Sequence, residues 1–298
     1  MTDEVWTVQK ILIWTTHYLE QNEDEHPRLS AEWLLSSVTG LSRVQLYTNF
    51  DKPLSSDERS HMREAIKRRA EGEPLQYVTG EMPFRHLVLT CEPGVLIPRP
   101  ETEVLVDVAL EGVDEASESN DENPIRVLEV GVGTGCISLS IAAERPQTCV
   151  YATDLSPKAI ALATRNRDAL DLQDRVELIE CDLVEGVPAE LAQSFSVLVS
   201  NPPYIPTSVL EQEVPDEVTD FEPKLALDGG EDGLDVYKRL LEVAPHMLLP
   251  GGMLCVELYE GHLDKAAHLA EQQGVWESVE VKEDLTHRPR ILVARLAK

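Results

Sequence analysis

The chain has 298 residues, 42% of them hydrophobic, which suits about two domains with ample core and excludes overall disorder. Its 26 basic and 54 acidic side chains leave a formal net charge of −28. Such a field repels phosphate backbones and argues against a general nucleic-acid-binding protein, although an acidic host proteome would give the same balance without bearing on partners.

Residues 5–70 read as short helices without strands. Val5, Val8, Leu12 and Leu19, with Trp6 and Trp14, make a helical stripe. Residues 29–38 give a second helix stopped by Gly40, and residues 42–47 a third. Ser55 and Glu58 have capping-box spacing at the start of a fourth, with Met62, Ala65 and Ile66 inward and an end near Gly72 and Pro74. Its tail, Lys67-Arg68-Arg69, fits either a solvated helix end or a partner contact. With no paired carboxylates and no metal-ligand spacing, residues 1–73 read as a helical docking domain. Residues 74–98 form a connector, in which residues 76–78 and 87–89 are predicted to pair as a β-hairpin around Pro83.

Residues 99–298 alternate strand and helix, the mark of a doubly wound, mostly parallel sheet. Prolines in Leu96-Ile97-Pro98-Arg99-Pro100 force an extended path. A helix then starts at Glu101 and Thr102 and turns Val104, Leu105, Val108 and Ala109 inward. Residues 111–123 are acidic and almost without apolar side chains, so a mobile loop is predicted. Strand 126–130 leads into Gly131-Val132-Gly133-Thr134-Gly135 and a helix over 137–144. Glycines there admit a ligand to the backbone and to the free N–H groups of the helix start. Strand 150–153 ends in Asp154, which suits both ribose hydroxyls of an adenosine or a helix N-cap. After a helix over 157–170, strand 176–179 ends near Cys181-Asp182-Leu183. Asp182 there suits an adenine amino group, with Leu183 against the ring, or simply a turn.

The fourth strand, 195–199, runs into Ser200-Asn201-Pro202-Pro203-Tyr204. Neither proline can donate a ladder hydrogen bond, so the strand must stop. The corner offers two acceptors, the Asn201 side-chain oxygen and the Pro202 carbonyl, beside an aromatic ring. That set suits a planar NH2 group, with Tyr204 on its flat face; a proline-rich turn capping a strand is the plainer alternative. An acidic loop follows (Glu211, Glu213, Asp216, Glu217, Asp220), readable as a lid, a partner contact or a surface excursion. A helix over 234–249, a strand over 253–258, a helix over 263–272 and two strands, around Val279 and over 291–296, close the sheet with an antiparallel pair. His287 between them reads as a surface loop residue. No apolar run could span a membrane, and Asp3 and Glu4 stand where a signal peptide would be basic, so a cytoplasmic protein is expected. Five cysteines (Cys91, Cys136, Cys149, Cys181, Cys255) without CxxC spacing predict reduced, mostly buried thiols and neither a disulfide frame nor a zinc site.

The glycine run, Asp154, Asp182 and Asn201-Pro202-Pro203-Tyr204 resemble a class I S-adenosylmethionine-dependent methyltransferase. Pro74-Leu75-Gln76-Tyr77-Val78-Thr79-Gly80, residues 96–103 and residues 222–233 resemble, more narrowly, the protein-(glutamine-N5) methyltransferase family, PrmC/HemK. The resemblance spans essentially the whole chain and is most specific in residues 97–103 and 201–204. It implies a Rossmann-like, mostly parallel seven-stranded sheet beside a helical domain and a hairpin connector. It also implies methyl transfer from S-adenosyl-L-methionine, leaving S-adenosyl-L-homocysteine, to the glutamine amide of the Gly-Gly-Gln motif of peptide chain release factors. On this resemblance Gly131, Val132, Gly133, Thr134, Gly135, Asp154, Asp182, Leu183 and Asn201 bind the cofactor. Asn201, Pro202, Pro203 and Tyr204 hold the glutamine, no metal is needed, and the protein acts as a monomer. Glu129 stands where the family often has Asp, and Leu183 where an aromatic is often found. Two rival readings are an adenine-N6 DNA or RNA methyltransferase, which would want a basic surface, and a non-catalytic dinucleotide-binding docking protein, which would leave Asn201 to Tyr204 without a purpose.

Overall fold

The computed structural model describes residues 5–119 and 125–298, which form two compact units. One comprises the described residues up to Glu81 together with Pro215–Phe221; the other comprises Met82–Val214 and Glu222–Lys298.

The first unit is helical: α1 (Val8–Gln21), α2 (Pro27–Thr39), α3 (Arg43–Thr48), α4 (Ser56–Ala70) and α5 (Leu75–Thr79). Capping boxes start two of them: Ser42 and Ser55 accept from backbone N–H groups three residues on, and Gln45 and Glu58 return the bond. Val8, Leu12, Leu19, Leu34, Leu35, Leu46 and Met62 are fully buried and make the unit's core. α5 corrects the sequence reading, which paired residues 76–78 as a strand. Gln-Tyr-Val has a strand-like composition, but Pro74 N-caps the segment and Gly80 closes it in the left-handed conformation, leaving one helical turn. The hairpin instead joins β1 (Glu81–Phe84) to β2 (Leu87–Thr90).

The cations at the end of α4 are spent on the protein's own acids. Lys67 pairs with Glu71, and Arg68 forks onto Glu73. Arg69 bridges Asp24 at 2.6 Å and Glu217 at 3.0 Å. Arg69 and Asp24 are nearly buried, with side chains 9% and 3% exposed. Removing one partner would strand the other charge away from water.

In the second unit α6 (Thr102–Ser119) precedes β3 (Ile125–Val130), α7 (Cys136–Glu144), β4 (Thr148–Asp154), α8 (Pro157–Ala169), β5 (Val176–Glu180) and β6 (Phe195–Ser200). Short helices α9 (Thr207–Gln212) and α10 (Asp216–Thr219) follow, where an irregular loop was expected; α10 belongs to the first unit. α11 (Asp235–Met247), β7 (Leu248–Glu257), α12 (Leu263–Gln273), β8 (Trp276–Glu283) and β9 (Pro289–Leu296) complete the chain. The seven-stranded sheet has the order β5-β4-β3-β6-β7-β9-β8. Its pairs are parallel except β7–β9 and β9–β8. One face is covered by α6 and α7, the other by α11 and α12, each over its own apolar cluster.

The predicted mobile loop over residues 111–123 is corrected over 111–119, which continue α6; residues 120–123 lie outside the described residues. Gly112, Val113 and Ala116 repeat at helical spacing from Ala109 and extend its inward face. Gly112 is held by contact: a Cβ there would come within 2.3 Å of Met253 and 3.0 Å of Val197. All five cysteines are free, but only Cys91 and Cys255 are buried, the other three being half-buried. His287 is exposed in the β8–β9 turn, as expected. Among the described residues no helix is long and apolar enough to cross a membrane.

Arg69→Ala should cost about 2–4 kcal/mol in urea unfolding, because Asp24 is left buried with no cation. Arg69→Lys should recover less than half of that, since an ammonium cannot fork between two carboxylates. A loss below about 0.5 kcal/mol would assign the bridge to the weak surface class.

Candidate active site

The sheet turns back on itself between β3 and β6. From β3 the chain winds outward through β4 to β5, then returns to lay β6 on the other side of β3. Ligands of open α/β sheets bind beyond the carboxyl ends of strands at such a switch point. The register puts Val130 beside Thr153 on one side and Ser200 on the other. The glycine run, Asp154 and Asn201 therefore leave adjacent strand ends.

A cleft of about 250 Å³ opens there. Gly131, Gly133, Asp154, Asp182, Leu183, Asn201 and Pro203 line it. Val132, Thr134 and Gly135 are buried behind the wall. Gly133 has φ +54° and open space where a Cβ would stand, so the backbone itself faces the cleft. Its N–H donates to Asp154 Oδ2 at 2.9 Å, while Ser156 N–H donates to Oδ1 at 2.8 Å. The Leu155 N–H bonds the carboxylate as well, and its two oxygens are acceptors of the kind that suits a vicinal diol. Burial raises the Asp154 carboxyl above its usual range against these bonds. Leu183 takes φ +47° and packs into the core below the cleft.

Sequence reasoning missed several supports. Arg239 donates to Asp182 at 2.8 Å, a pairing across 57 residues with no local signal. Leu155 and Leu225 line the cleft although 54% and 56% exposed, so apolar walls flank the polar ones. Asn166, on α8, accepts from Thr90 N–H and donates to the carbonyls of Thr90 and Thr134, tying the hairpin to the glycine run. Glu222 is buried and takes the Arg99 guanidinium at 2.5 Å and the Ile97 N–H at 3.1 Å. These contacts fix the proline-rich path into α6.

The Asn201 corner is braced from both sides. Ile205 N–H donates to the Leu227 carbonyl and Gly229 N–H to the Ile205 carbonyl. A Cβ on Gly229 would lie 2.8 Å from both the Pro203 carbonyl oxygen and Tyr204 Cα, so only glycine permits this approach. Pro202 is buried. Tyr204 directs its hydroxyl to Glu257 Oε1 at 3.5 Å, and burial pushes its pKa up. Asn201, which lines the cleft, donates its Nδ2 to Thr102 Oγ1 at 3.1 Å, and that bond leaves the amide oxygen to accept. Among the described residues no group of three or more His, Cys, Asp or Glu could hold a metal ion.

Glu129, at the end of β3, is fully buried under the glycine run and accepts the Ser138 N–H of α7 at 2.9 Å. Its other oxygen has no partner, and burial pushes the carboxyl up to about 8. A carboxyl that binds its proton more tightly when folded stabilises fully below its ordinary pKa, and that contribution is lost as pH rises toward the folded value. Glu129→Gln should therefore gain on the wild type by about 1–3 kcal/mol in unfolding free energy between about pH 5 and pH 8.5. A difference independent of pH would show Glu129 to be ionised throughout.

The chain matches two families: one described as PrmC N-terminal domain, over residues 10–80, and one described as methyltransferase small domain, over residues 112–220. A release factor glutamine methyltransferase of Geobacter sulfurreducens is 45% identical over 91% of this chain and 90% of its own. One of Rhodopirellula baltica is 39% identical over 97% and 96%. Among solved structures, the N-terminal domain of human METTL16 superposes with a TM-score of 0.51 at 16% identity, covering 82% of this chain and 84% of that one, a likeness of fold alone. With identity at this level sustained across nine-tenths of both sequences, and with the helical and sheet regions each matched, the chain belongs to the release factor glutamine methyltransferase family.

Proposed function

We propose that this protein transfers a methyl group from S-adenosyl-L-methionine to the side-chain amide of the glutamine in a release factor's Gly-Gly-Gln motif. One observation carries the reading: at the mouth of the cleft, the Asn201 amide is anchored through its nitrogen, so the corner presents an acceptor. Family membership supports the substrate.

The residues fit the cofactor. Asp154 would take the ribose hydroxyls, the Gly131 and Gly133 backbone would admit the methionine part, and Asp182 with Leu183 would meet the adenine. Bound there, S-adenosyl-L-methionine supplies an electrophilic methyl group on sulfur. The amide nitrogen of glutamine is a poor nucleophile because its lone pair is delocalised into the carbonyl. Asn201 Oδ1 and the Pro202 carbonyl would hold its two N–H groups and aim the nitrogen at the methyl carbon. Orientation of this kind is worth up to about 7–11 kcal/mol of barrier. The same acceptors face the positive charge that grows on nitrogen as the bond forms. One N–H proton then leaves to solvent. The helical unit, matched by the family's N-terminal domain, is the proposed docking surface for the protein substrate.

Mass spectrometry of a purified release factor after incubation with enzyme and cofactor should find one added methyl on the Gly-Gly-Gln peptide. Methyl incorporation into DNA or RNA, with none into the release factor, would replace this reading by the nucleobase one. Asp154→Ala should weaken cofactor binding by about 1–3 kcal/mol in calorimetry, from two lost charge-assisted hydrogen bonds. Asn201→Ala should lower kcat by about a hundredfold or more while cofactor affinity stays within about threefold. Near-normal turnover by the folded variant would remove Asn201 from the mechanism.

A further inference from the structure

A side-chain amide is polar in two senses: its oxygen only accepts and its nitrogen only donates. Which end Asn201 turns to the cleft decides whether the corner welcomes an incoming NH2 group or repels it. The two ends are nearly equal in size, so sterics cannot choose between them. Something behind the amide must.

Thr102 stands behind it, 2% exposed at the start of α6, and its Oγ1 receives the Asn201 Nδ2 at 3.1 Å. A hydroxyl has a single hydrogen. With its oxygen accepting from Asn201, that hydrogen is free to donate, and the Glu257 carboxylate at the end of β7 is the acceptor beside it, close enough to Thr102 for the hydroxyl to oppose the rise of its pKa. Glu257 is 1% exposed, takes the Tyr204 hydroxyl on Oε1 at 3.5 Å, and leaves Oε2 buried without a hydrogen-bond partner. A buried carboxylate so sparsely bonded is costly to the fold.

We propose that Glu257 is a positioning residue that sets the direction of an Asn201–Thr102–Glu257 hydrogen-bond chain and so holds the Asn201 oxygen toward the cleft. An ionised carboxylate can only accept. Thr102 must then donate to Glu257 and accept from Asn201, and the amide cannot turn over. Protonation reverses this constraint: a carboxylic acid can donate to Thr102, whose hydrogen is then free to bond the Asn201 oxygen. The amide would turn its NH2 to the substrate's NH2, donor against donor. The inference rests on the reading of Asn201 as the acceptor for the substrate amide.

The groups facing Glu257 come from every element around it: Thr102 and Glu101 from the start of α6, Tyr204 from the corner, Arg290 from β9 and Cys136 from α7. Burial raises its carboxyl first, to about 7, with Glu101 adding to the rise and Thr102, Arg290 and Tyr204 opposing it. The acceptor-only form is therefore gained as pH rises through neutrality.

The test pairs kinetics with a signal that does not depend on the substrate. Glu257→Gln keeps the shape but can donate, and should lower kcat for the release factor by about thirtyfold or more with the cofactor KM within about threefold. Wild-type kcat should rise through a single ionisation near pH 7, and the Gln variant should lack that limb. Thr102→Ser should exceed Thr102→Val in kcat by at least about tenfold, since only serine keeps the link. In nitrogen-15 NMR, the Asn201 side-chain NH2 signals of the wild type should shift with a midpoint near pH 7, and those of Glu257→Gln should not. Gln-variant turnover within about threefold of wild type and an unchanged pH profile would overturn the relay. So would a loss of kcat without the NMR titration in the wild type, which would make the role structural. If the wild type fails to methylate the release factor yet the Asn201 signals titrate and the titration is lost in Glu257→Gln, the relay stands and the proposed substrate falls.

Discussion

Two prolines that cannot donate a hydrogen bond end β6 at Ser200, and the rest of the site depends on where that strand stops. Because β6 is flanked by β3 and β7, its last residue has a fixed height in the sheet. Ser200 is buried there and donates its hydroxyl to the Val130 carbonyl at 2.7 Å. The corner is thereby locked to the strand that delivers the glycine run. A shift of one residue in either register would turn Asn201 off the cleft and send the alternate side chains into the core. The constraint runs outward as well. Gly229 and the Ile205–Asp228 bridge hold the far side of the corner, so it is pinned at both ends.

The charges follow a consistent division. The protein has about half as many cations as acids, and the described structure spends many of them internally. Arg85 serves Asp107 and Glu144, Arg99 serves Glu222, Arg145 serves Asp114, and Arg239 serves Asp182. Surplus acid is left for the surface, which discourages a polyanion as substrate. Two acids, Glu129 and Glu257, are instead buried behind the site with few partners and raised pKa values. Their cost to stability sits under the two segments that must keep one conformation, the glycine run and the Asn201 corner.

Much of this was legible from the order of residues. The alternation of strand and helix gave the sheet, and three acidic or amide residues at consecutive strand ends converged because parallel strands end on one side. Residues 76–78 and 111–119 misled for opposite reasons. Gln76, Tyr77 and Val78 have strand-like side chains, but the segment is too short to escape its flanking Pro74 and Gly80. Residues 111–119 are polar by composition, while Gly112, Val113 and Ala116 continue an apolar stripe begun at Leu105. Arg239, Asn166, Glu222 and Glu257 were invisible for a different reason. Each acts on a residue far away in sequence, and a single chain read along its length offers no periodicity that links such pairs.

The arrangement at the corner also bears on selectivity. A carboxylate placed directly against the substrate nitrogen would accept its hydrogens more strongly than an amide oxygen does. It would favour a lysine ammonium even more, because that group brings a full charge. On the proposed reading, a neutral acceptor removes most of this advantage and leaves geometry to choose: two acceptors would match the two N–H groups of a planar amide. In the proposed relay, setting Glu257 one hydroxyl away would keep its negative charge out of the contact while using its inability to donate. The acid would then govern the orientation of the corner without becoming the surface that the substrate meets.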